Sequence, residues 1–124
     1  MIVVLVIDDA ATIRMYYRQV LESSGFVVEE AENGFEGLEK SLLTSHQLYV
    51  VDINMPKVDG YSVARTLRVQ SETRATPIIM VSTESAAADR DRALASGANV
   101  FLVKPVKPAQ LISYARMLTA RGAP

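Results

Sequence analysis

Five short apolar segments, separated by stretches with helical periodicity, constrain the fold of this chain more than any other feature. The segments are rich in β-branched residues and mostly continuous rather than alternating, which is typical of strands covered on both faces. They span residues 2–7, 26–28, 48–51, 77–81 and 100–103. Because strand and helix alternate five times, the sequence predicts an α/β fold with a parallel sheet and helices on both of its faces.

The helical stretches between the strands differ in the strength of their apolar stripe. The clearest stripe contains Ile13, Tyr16, Tyr17, Val20 and Leu21, with Gly25 in the place of a C-terminal cap. Weaker stripes are Phe35, Leu38 and Leu42, then Val63, Ala64 and Leu67, then Leu111, Ala115 and Leu118 with Pro108 near the first turn. The stretch 85–96 is rich in alanine, with Leu94 as its only large apolar residue. The helix predicted there has the weakest hydrophobic anchor.

Composition and charge exclude several classes of function. The length predicts a single domain over residues 1–124, in which the last helix ends near Thr119 and 120–124 form a tail. Thirteen basic and fourteen acidic side chains leave a formal charge of -1, and there is no cysteine. This balance gives no indication of nucleic-acid binding, and disulfides and cysteine-ligated metals are excluded. The N-terminal apolar run is too short for a signal peptide or a membrane span, so a cytoplasmic protein is expected.

The residues that end the predicted strands are polar or charged and of types that can bind ligands or take part in catalysis. They are Asp8 and Asp9 after the first strand, Asp52 after the third, Ser82 and Thr83 after the fourth, and Lys104 after the fifth. In an open parallel sheet the carboxyl ends of the strands share one edge, and ligands bind there at the switch point in strand order. We therefore expect three carboxylates, a hydroxyl and an ammonium to meet at one place.

The chemistry of this set points to phosphoryl transfer. Clustered carboxylates repel one another, and burial raises their pKa values, a conflict that a divalent cation with oxygen ligands such as Mg²⁺ removes. Lys104 is a compact positive charge suited to a phosphoryl oxygen, and Ser82 can donate to another. A glycine-rich phosphate cradle is missing from the sequence, so a nucleotide site is not indicated. The set suits a carboxylate nucleophile that attacks a phosphoryl group while the cations neutralise charge.

Four segments in order resemble the receiver domains of two-component response regulators. They are "IDD" at 7–9, "VDINMPKVDG" at 51–60, "IMVSTES" at 79–85 and "FLVKP" at 101–105. The resemblance, to stand-alone chemotaxis receivers in particular, covers about residues 2–119. It implies a flavodoxin-like, doubly wound sheet of five parallel strands in the order 2-1-3-4-5, with five helices.

The resemblance also implies a role for each residue of the phosphorylation site. Asp52 corresponds to the phosphoacceptor, which takes its phosphoryl group from a histidine kinase. Asp8 and Asp9 would hold Mg²⁺ together with Asp52 and the backbone carbonyl of Asn54, Asp9 more directly and Asp8 partly through water. The protein would then be no enzyme beyond catalysing its own Mg²⁺-dependent phosphorylation and dephosphorylation.

Further implied roles concern signalling after phosphorylation. Lys104 would pair with the phosphoryl group, and its bond to Pro105 is commonly cis in the family. Ser82 and Phe101 occupy the two switch positions. A downstream protein would bind the face formed by the fourth helix, fifth strand and fifth helix. A monomer or weak dimer without nucleic-acid or membrane partners is expected, with chemotaxis as the first hypothesis for the pathway.

The lifetime of the phosphorylated state should depend on Asn54 and Glu84. Both lie two residues beyond a site residue, next to the path of an attacking water. Because Asn is small and Glu can hydrogen-bond a water, the family geometry predicts a short-lived phosphorylated state.

Four other interpretations remain open. The first is a phosphorelay intermediate or a regulator of another kinase. The second, a phosphatase of the haloacid-dehalogenase type, expects an acid where Asn54 stands. The third, a flavin module, expects hydroxyls and glycines where Asp8 and Asp9 stand. The fourth is a degenerate receiver used only as a scaffold, which the intact acid set and Lys104 argue against. Away from the site, Tyr16 and Tyr17 are interpreted as packing residues and His46 as a solvated loop residue.

Overall fold

The computed structural model describes residues 1–120 as five strands and five helices in strict alternation. The strands are β1 Val3–Ile7, β2 Val27–Ala31, β3 Leu48–Asp52, β4 Ile78–Ser82 and β5 Val100–Val103. The helices are α1 Ala11–Glu22, α2 Gly34–Leu43, α3 Gly60–Val69, α4 Ala87–Ser96 and α5 Pro108–Thr119. The predicted end of the last helix near Thr119 is confirmed, and most of the predicted tail lies outside the described residues.

The strands form one parallel sheet in the order β2-β1-β3-β4-β5. This order confirms the predicted fold class and strand order. Strand β2 lies on one side of β1, and β3 lies on the other side. The carboxyl ends of β1 and β3 therefore flank the point where the direction of winding reverses, which is where ligands bind in such sheets.

Helices cover the sheet on both faces, as the continuous apolar strands predict. On one face α1 and α5 pack through Tyr17, Leu21, Leu111 and Ala115. On the other face α3 and α4 pack through Val63, Ala64, Leu67 and Ala93. Alternate residues of β1 supply both layers, since Leu5 and Ile7 face the second layer while Val4 and Val6 face the first. Within residues 1–120, no helix has the length and apolar character needed to cross a membrane.

The predicted apolar stripe of α2 is confirmed at Leu38, which packs against the core, and wrong at its other two positions. Phe35 is 62% exposed and Leu42 54% exposed, and the buried positions are instead Gly34, Gly37 and Ser41. A Cβ atom at Gly37 would lie 2.5 Å from Cδ1 of Ile7. The helix backbone therefore lies close against β1 at Gly37, and Phe35 and Leu42 are turned to the outside.

Helix α4 is anchored by small and polar contacts. Leu94, its only large apolar residue, is 41% exposed, and Ala93 takes the core position. The guanidinium carbon of Arg92 lies 4.1 Å from the centre of the Tyr61 ring on α3, in cation–π geometry. Gly97 ends the helix with a φ of 119°, and its carbonyl accepts hydrogen bonds from Arg68.

The interpretation of His46 as a solvated residue is wrong. Its side chain is 0% exposed, and Nε2 lies 2.7 Å from Oε1 of Glu29 and 3.2 Å from Oγ1 of Thr44. The hydrogen bond with His46 lowers the pKa of Glu29. Strand β2 runs past its apolar start to Ala31, so Glu29 is a strand residue whose carboxylate contacts His46. The packing role of the two tyrosines is confirmed, since Tyr17 is buried and Tyr16 donates to the Val106 carbonyl at 2.7 Å.

Candidate phosphoryl-transfer site

Three carboxylates meet at the carboxyl ends of β1 and β3, as the strand pattern predicts. Asp8 directly follows β1, Asp9 comes next in the chain, and Asp52 is the last residue of β3. One carboxylate oxygen from each lies within 4.8 Å of the others. Asp8 and Asp52 are buried and Asp9 is exposed, so the cluster opens to solvent on the side of Asp9.

Lys104 closes the inner side of this cluster. It directly follows β5, and its backbone N–H donates to the Ser82 carbonyl at 2.8 Å, which fixes its position beside β4. The ammonium group lies 3.1 Å from Oδ1 of Asp52 and 3.3 Å from Oδ2 of Asp8. The peptide bond to Pro105 is cis, as the family resemblance predicts. One cation therefore touches both buried carboxylates.

The electrostatics of the cluster are those of crowded, buried acids. Burial raises the pKa of Asp52 to about 6, the Asp8 carboxylate adds to the rise, and the Lys104 ammonium opposes it. Burial alone lowers the pKa of Lys104, but the Asp52 and Asp8 carboxylates outweigh this effect and raise it. Tyr17 is close enough to sense the same acids, because burial first and then Asp8 and Asp52 raise the pKa of its hydroxyl. The cluster thus has an excess of negative charge that one lysine does not balance.

Ser82 and Asn54 form the rim of the site above Asp52. Ser82 is the last residue of β4, and its buried hydroxyl donates to Oδ1 of Asn54 at 3.2 Å. The same hydroxyl oxygen accepts from the backbone N–H of Glu84 at 3.0 Å. The Asn54 backbone N–H donates to Oδ1 of Asp52 at 3.3 Å. The two residues predicted to tune dephosphorylation, Asn54 and Glu84, are both exposed beside the site.

The loop after Asp52 is held by the residues that follow it in the sequence. Asp59 caps α3, since its Oδ1 accepts from the Ser62 backbone N–H at 2.9 Å. Gly60 packs so closely on the end of β3 that a Cβ atom there would lie 2.6 Å from the Asp52 carbonyl oxygen. Lys57 has a φ of 70°, a conformation uncommon for residues other than glycine. Asp59 and Gly60 therefore stabilise the conformation of the loop that follows Asp52.

Phe101, the predicted switch residue, lies away from the acids. It is in the middle of β5, paired with Met80 of β4, and is half-buried. With Leu94, Tyr114 and Met117 it lines a groove of about 340 Å³ between α4 and α5. The structure thus places Phe101 on the face where the sequence predicts a downstream contact.

Arg14 is a site residue that the sequence analysis missed. Its Nη1 donates to the backbone carbonyl of Asp8 at 2.6 Å, and its Nε donates to Oε1 of Glu30 at 3.0 Å. A signal was present in the sequence. Arg14 is the only basic residue near the start of α1, where the helix dipole disfavours a cation unless a specific partner is nearby.

Comparison with known proteins is consistent with this geometry. Residues 4–116 match the model of the response regulator receiver domain. The chain belongs to the response regulator receiver domain family. Receiver domains are signalling domains of two-component response regulators, and a phosphorylation-dependent switch is their general function.

Solved receiver structures superpose closely on the chain. The chemotaxis protein CheY4 of Vibrio cholerae superposes with a TM-score of 0.90 and 33% sequence identity, covering 95% of this chain and 98% of that one. The receiver domain of the Francisella response regulator 1452 gives a TM-score of 0.91 and 30% identity, covering 98% of each chain. This receiver domain therefore shares its whole fold with both.

Among sequence relatives, the transcriptional regulatory protein ResD of Bacillus subtilis is 36% identical over 120 residues, which is 97% of this chain and 49% of ResD. The transcriptional regulatory protein SrrA of Staphylococcus aureus is 32% identical over 118 residues, 95% of this chain and 48% of SrrA. The receiver domain described here spans about half the length of these curated relatives.

The acid cluster of this receiver domain fits a divalent cation. Receiver domains bind Mg²⁺ at an acidic pocket. Here three carboxylate oxygens lie within 4.8 Å of one another, and a single ammonium group contacts two of the three carboxylates. Mg²⁺ takes one or two protein carboxylates and keeps several waters, so the exposed Asp9 side suits a hydrated ion. The donor set, all oxygen, matches this metal.

Proposed function

We propose that this receiver domain accepts a phosphoryl group on Asp52 from the phosphohistidine of a histidine kinase. The observation that carries the proposal is the position of Lys104, whose ammonium contacts both Asp52 and Asp8 inside the acid cluster. Asp52 is the carboxylate at the centre of this arrangement, between the acid pair, Lys104 and the Ser82 rim. It is the group that an incoming phosphoryl would meet.

In the proposed step a carboxylate oxygen of Asp52 attacks the phosphorus. The O–P bond forms, the P–N bond to the donor imidazole breaks, and the imidazole nitrogen keeps the electron pair and takes a proton from solvent. Asp52 loses its negative charge at the bridging oxygen, so Lys104 would move its contact from that carboxylate to the new phosphoryl oxygens. The Ser82 hydroxyl, which now donates to Asn54, could instead donate to the phosphoryl group.

Mg²⁺ would be held by Asp8, Asp9, Asp52 and the backbone carbonyl of Asn54. When bound, it supplies positive charge to phosphoryl oxygens in the transition state. Lys104 already pairs with two of the three carboxylates, so the chain itself holds the cluster together and leaves Asp9 as the acid free to meet a hydrated ion.

Incubation of the wild-type protein with acetyl phosphate tests the proposal. We expect the intact mass to increase by one phosphoryl group when Mg²⁺ is present and to remain unchanged in EDTA. The adduct should be released by hydroxylamine, because this nucleophile attacks the acyl carbon of an aspartyl phosphate and leaves a hydroxamate, whereas a phosphoserine ester is stable to it. A stable adduct that resists hydroxylamine would contradict an aspartyl phosphate.

The output of the switch is proposed to be a protein contact on the α4–β5–α5 face. The groove lined by Leu94, Phe101 and Tyr114 lies there, next to β4, which carries Ser82. CheY4 is a chemotaxis protein, whereas ResD and SrrA are transcriptional regulatory proteins. The similarity to CheY4 supports a chemotaxis output in the cytoplasm, and the similarity to ResD and SrrA supports a transcriptional output as the second candidate.

The lifetime of the phosphorylated state is expected to be short, seconds to minutes, and to depend on Asn54. This side chain is exposed and bonded to the Ser82 rim, where a larger apolar residue would cover the approach of water. Asn54→Met should slow loss of the phosphoryl group about fivefold or more, which corresponds to ~1 kcal/mol in the barrier. The decay of labelled protein after removal of acetyl phosphate measures this rate.

A methionine at the exposed Ser71, beyond the end of α3, is the control for that experiment and should leave the decay unchanged. A wild-type lifetime of many hours would contradict the prediction. So would unchanged lifetimes after substitution of both Asn54 and Glu84.

A further inference from the structure

The guanidinium of Arg14 links the acid loop to the edge of the sheet. It donates to the Asp8 carbonyl at 2.6 Å and to Oε1 of Glu30 on β2 at 3.0 Å. The Arg14 side chain is only 13% exposed. Arginine can make such a bridge because its planar fork carries several donors in fixed directions.

The bridge holds the peptide unit between the two acids of the metal cluster. The Asp8 backbone N–H donates to the Ala31 carbonyl at 3.1 Å, and the Asp8 carbonyl accepts from Arg14. That carbonyl belongs to the same planar peptide unit as the Asp9 N–H. Since the plane is rigid, fixing the carbonyl direction also fixes the direction in which the chain enters Asp9.

Asp9 needs such support more than the other acids. Asp8 is held through its own side chain, which accepts from the Ala10 N–H at 2.8 Å and from Lys104 at 3.3 Å. Asp52 is held by Lys104 and the Asn54 N–H. Asp9 is exposed, so the backbone that precedes it is what decides whether its carboxylate lies within reach of the other two.

We propose that Arg14 is a positioning residue for Mg²⁺ binding, which fixes the Asp8–Asp9 peptide by bridging the Asp8 carbonyl to Glu30. This inference rests on the proposed Mg²⁺ site of Asp8, Asp9 and Asp52. It assigns to Arg14 a function beyond tying α1 to β2.

The charge and the position of Arg14 have opposite effects on metal affinity. A cation beside the Asp8 backbone repels Mg²⁺ bound nearby, so neutralising it would by charge alone tighten Mg²⁺ binding. Loss of a positioning contact would weaken it instead. The sign of the change therefore separates the two roles.

Arg18 provides a matched control one turn further along α1. Its Nε donates to the other Glu30 oxygen, Oε2, at 2.6 Å, and its Nη1 donates to Glu22 at 2.9 Å. Arg18→Gln removes the same charge and a hydrogen bond to the same glutamate as Arg14→Gln does. Of these two variants, Arg14→Gln is the one that also removes the hydrogen bond to the Asp8 carbonyl.

The experiment is a titration of the full chain with MgCl₂, in which the backbone amide shifts of Asp9 and Ala10 are followed by NMR. Arg14→Gln is expected to weaken Mg²⁺ binding about 10- to 100-fold, the usual effect of losing a residue that orients a metal ligand. Arg18→Gln should bind as the wild type does or slightly more tightly. Thermal unfolding without metal checks that both variants fold, and both should have a lower Tm than the wild type because each loses an ion pair with Glu30.

Arg14→Lys gives a second variant, which keeps the positive charge. A lysine ammonium does not span both partners in fixed geometry, so weaker Mg²⁺ binding is expected again. Affinity equal to wild type in both Arg14 variants, or tighter binding in Arg14→Gln, would overturn the positioning role.

Asp9→Asn separates this failure from failure of the metal site. Weaker Mg²⁺ binding by Asp9→Asn than by the wild type, together with an unchanged Arg14→Gln, would overturn only the role of Arg14. Equal affinities of Asp9→Asn and wild type would overturn the proposed metal site, and the role of Arg14 with it.

Discussion

Asp52→Asn is expected to abolish phosphoryl labelling by acetyl phosphate in the presence of Mg²⁺. The amide nitrogen and carbonyl oxygen of asparagine are poor nucleophiles beside an ionised carboxylate, and the substitution also removes one ligand charge from the cluster. The Ser82 hydroxyl, on the rim of the same site, donates to the Asn54 side-chain amide, which is not a general base that would activate it as a substitute acceptor. Intact mass spectrometry of wild type and variant under identical conditions measures the effect.

Asp59→Asn is the matched control for that experiment. Asp59 lies in the same segment but caps α3 through the Ser62 N–H, and asparagine caps a helix about as well as aspartate does. This variant should be labelled as the wild type is. Labelling of Asp52→Asn to the same extent as wild type would show that the phosphoacceptor is another residue.

The same substitution at Asp52 is expected to stabilise the metal-free protein. Burial and the Asp8 carboxylate raise the pKa of Asp52 to about 6 from its ordinary value of 3.8. The ionised side chain is therefore less favourable in the folded protein than in the unfolded chain. Replacing it by a neutral isostere should raise the free energy of unfolding at pH 7.5 in EDTA by on the order of 2–3 kcal/mol.

The pH dependence of this gain follows from the direction of the shift. Between the ordinary pKa of 3.8 and the raised value of about 6, the folded state binds more protons than the unfolded state, so wild-type stability falls as pH rises through this window. The advantage of Asp52→Asn should thus be complete above pH 6, shrink as pH falls towards 4, and vanish below the ordinary pKa. Urea unfolding of both proteins across this range measures the difference.

EDTA is required because a divalent cation in the cluster would neutralise the repulsion that the substitution relieves. Asp59→Asn again serves as the control and should change stability little at any pH. A variant less stable than wild type at pH 7.5 would mean that the loss of the Asp52 contact with Lys104 outweighs the cost of burying a charged Asp52.

Much of the site could be predicted from sequence, because strand-end residues of a parallel sheet meet by geometry. Asp8, Asp52 and Lys104 each end or directly follow a strand, and the apolar runs locate those ends to within a residue or two. Their convergence needs only the strand directions. The contacts of Lys104 with both buried acids agree with that expectation.

Features that depend on how closely elements approach one another could not be predicted in this way. The α2 helix packs through its glycines, whereas a count of apolar residues selects Phe35 and Leu42. The apolar run predicts a second strand over 26–28, whereas β2 extends through Glu29, whose carboxylate contacts the buried His46. Neither outcome is encoded in the local hydrophobic periodicity.

The amino-acid sequence by itself determined the alternation of strands and helices, the α/β class and the set of reactive residues at one edge of the sheet. The tertiary structure alone decided which acid is exposed, how far burial raises the pKa of Asp52, and that Arg14 reaches the Asp8 carbonyl. The physical reason is that the pattern of residue types along the chain depends on the local backbone conformation and on which face of each element is buried. Distances between side chains of different elements, and the electrostatics that follow from them, exist only once those elements are packed.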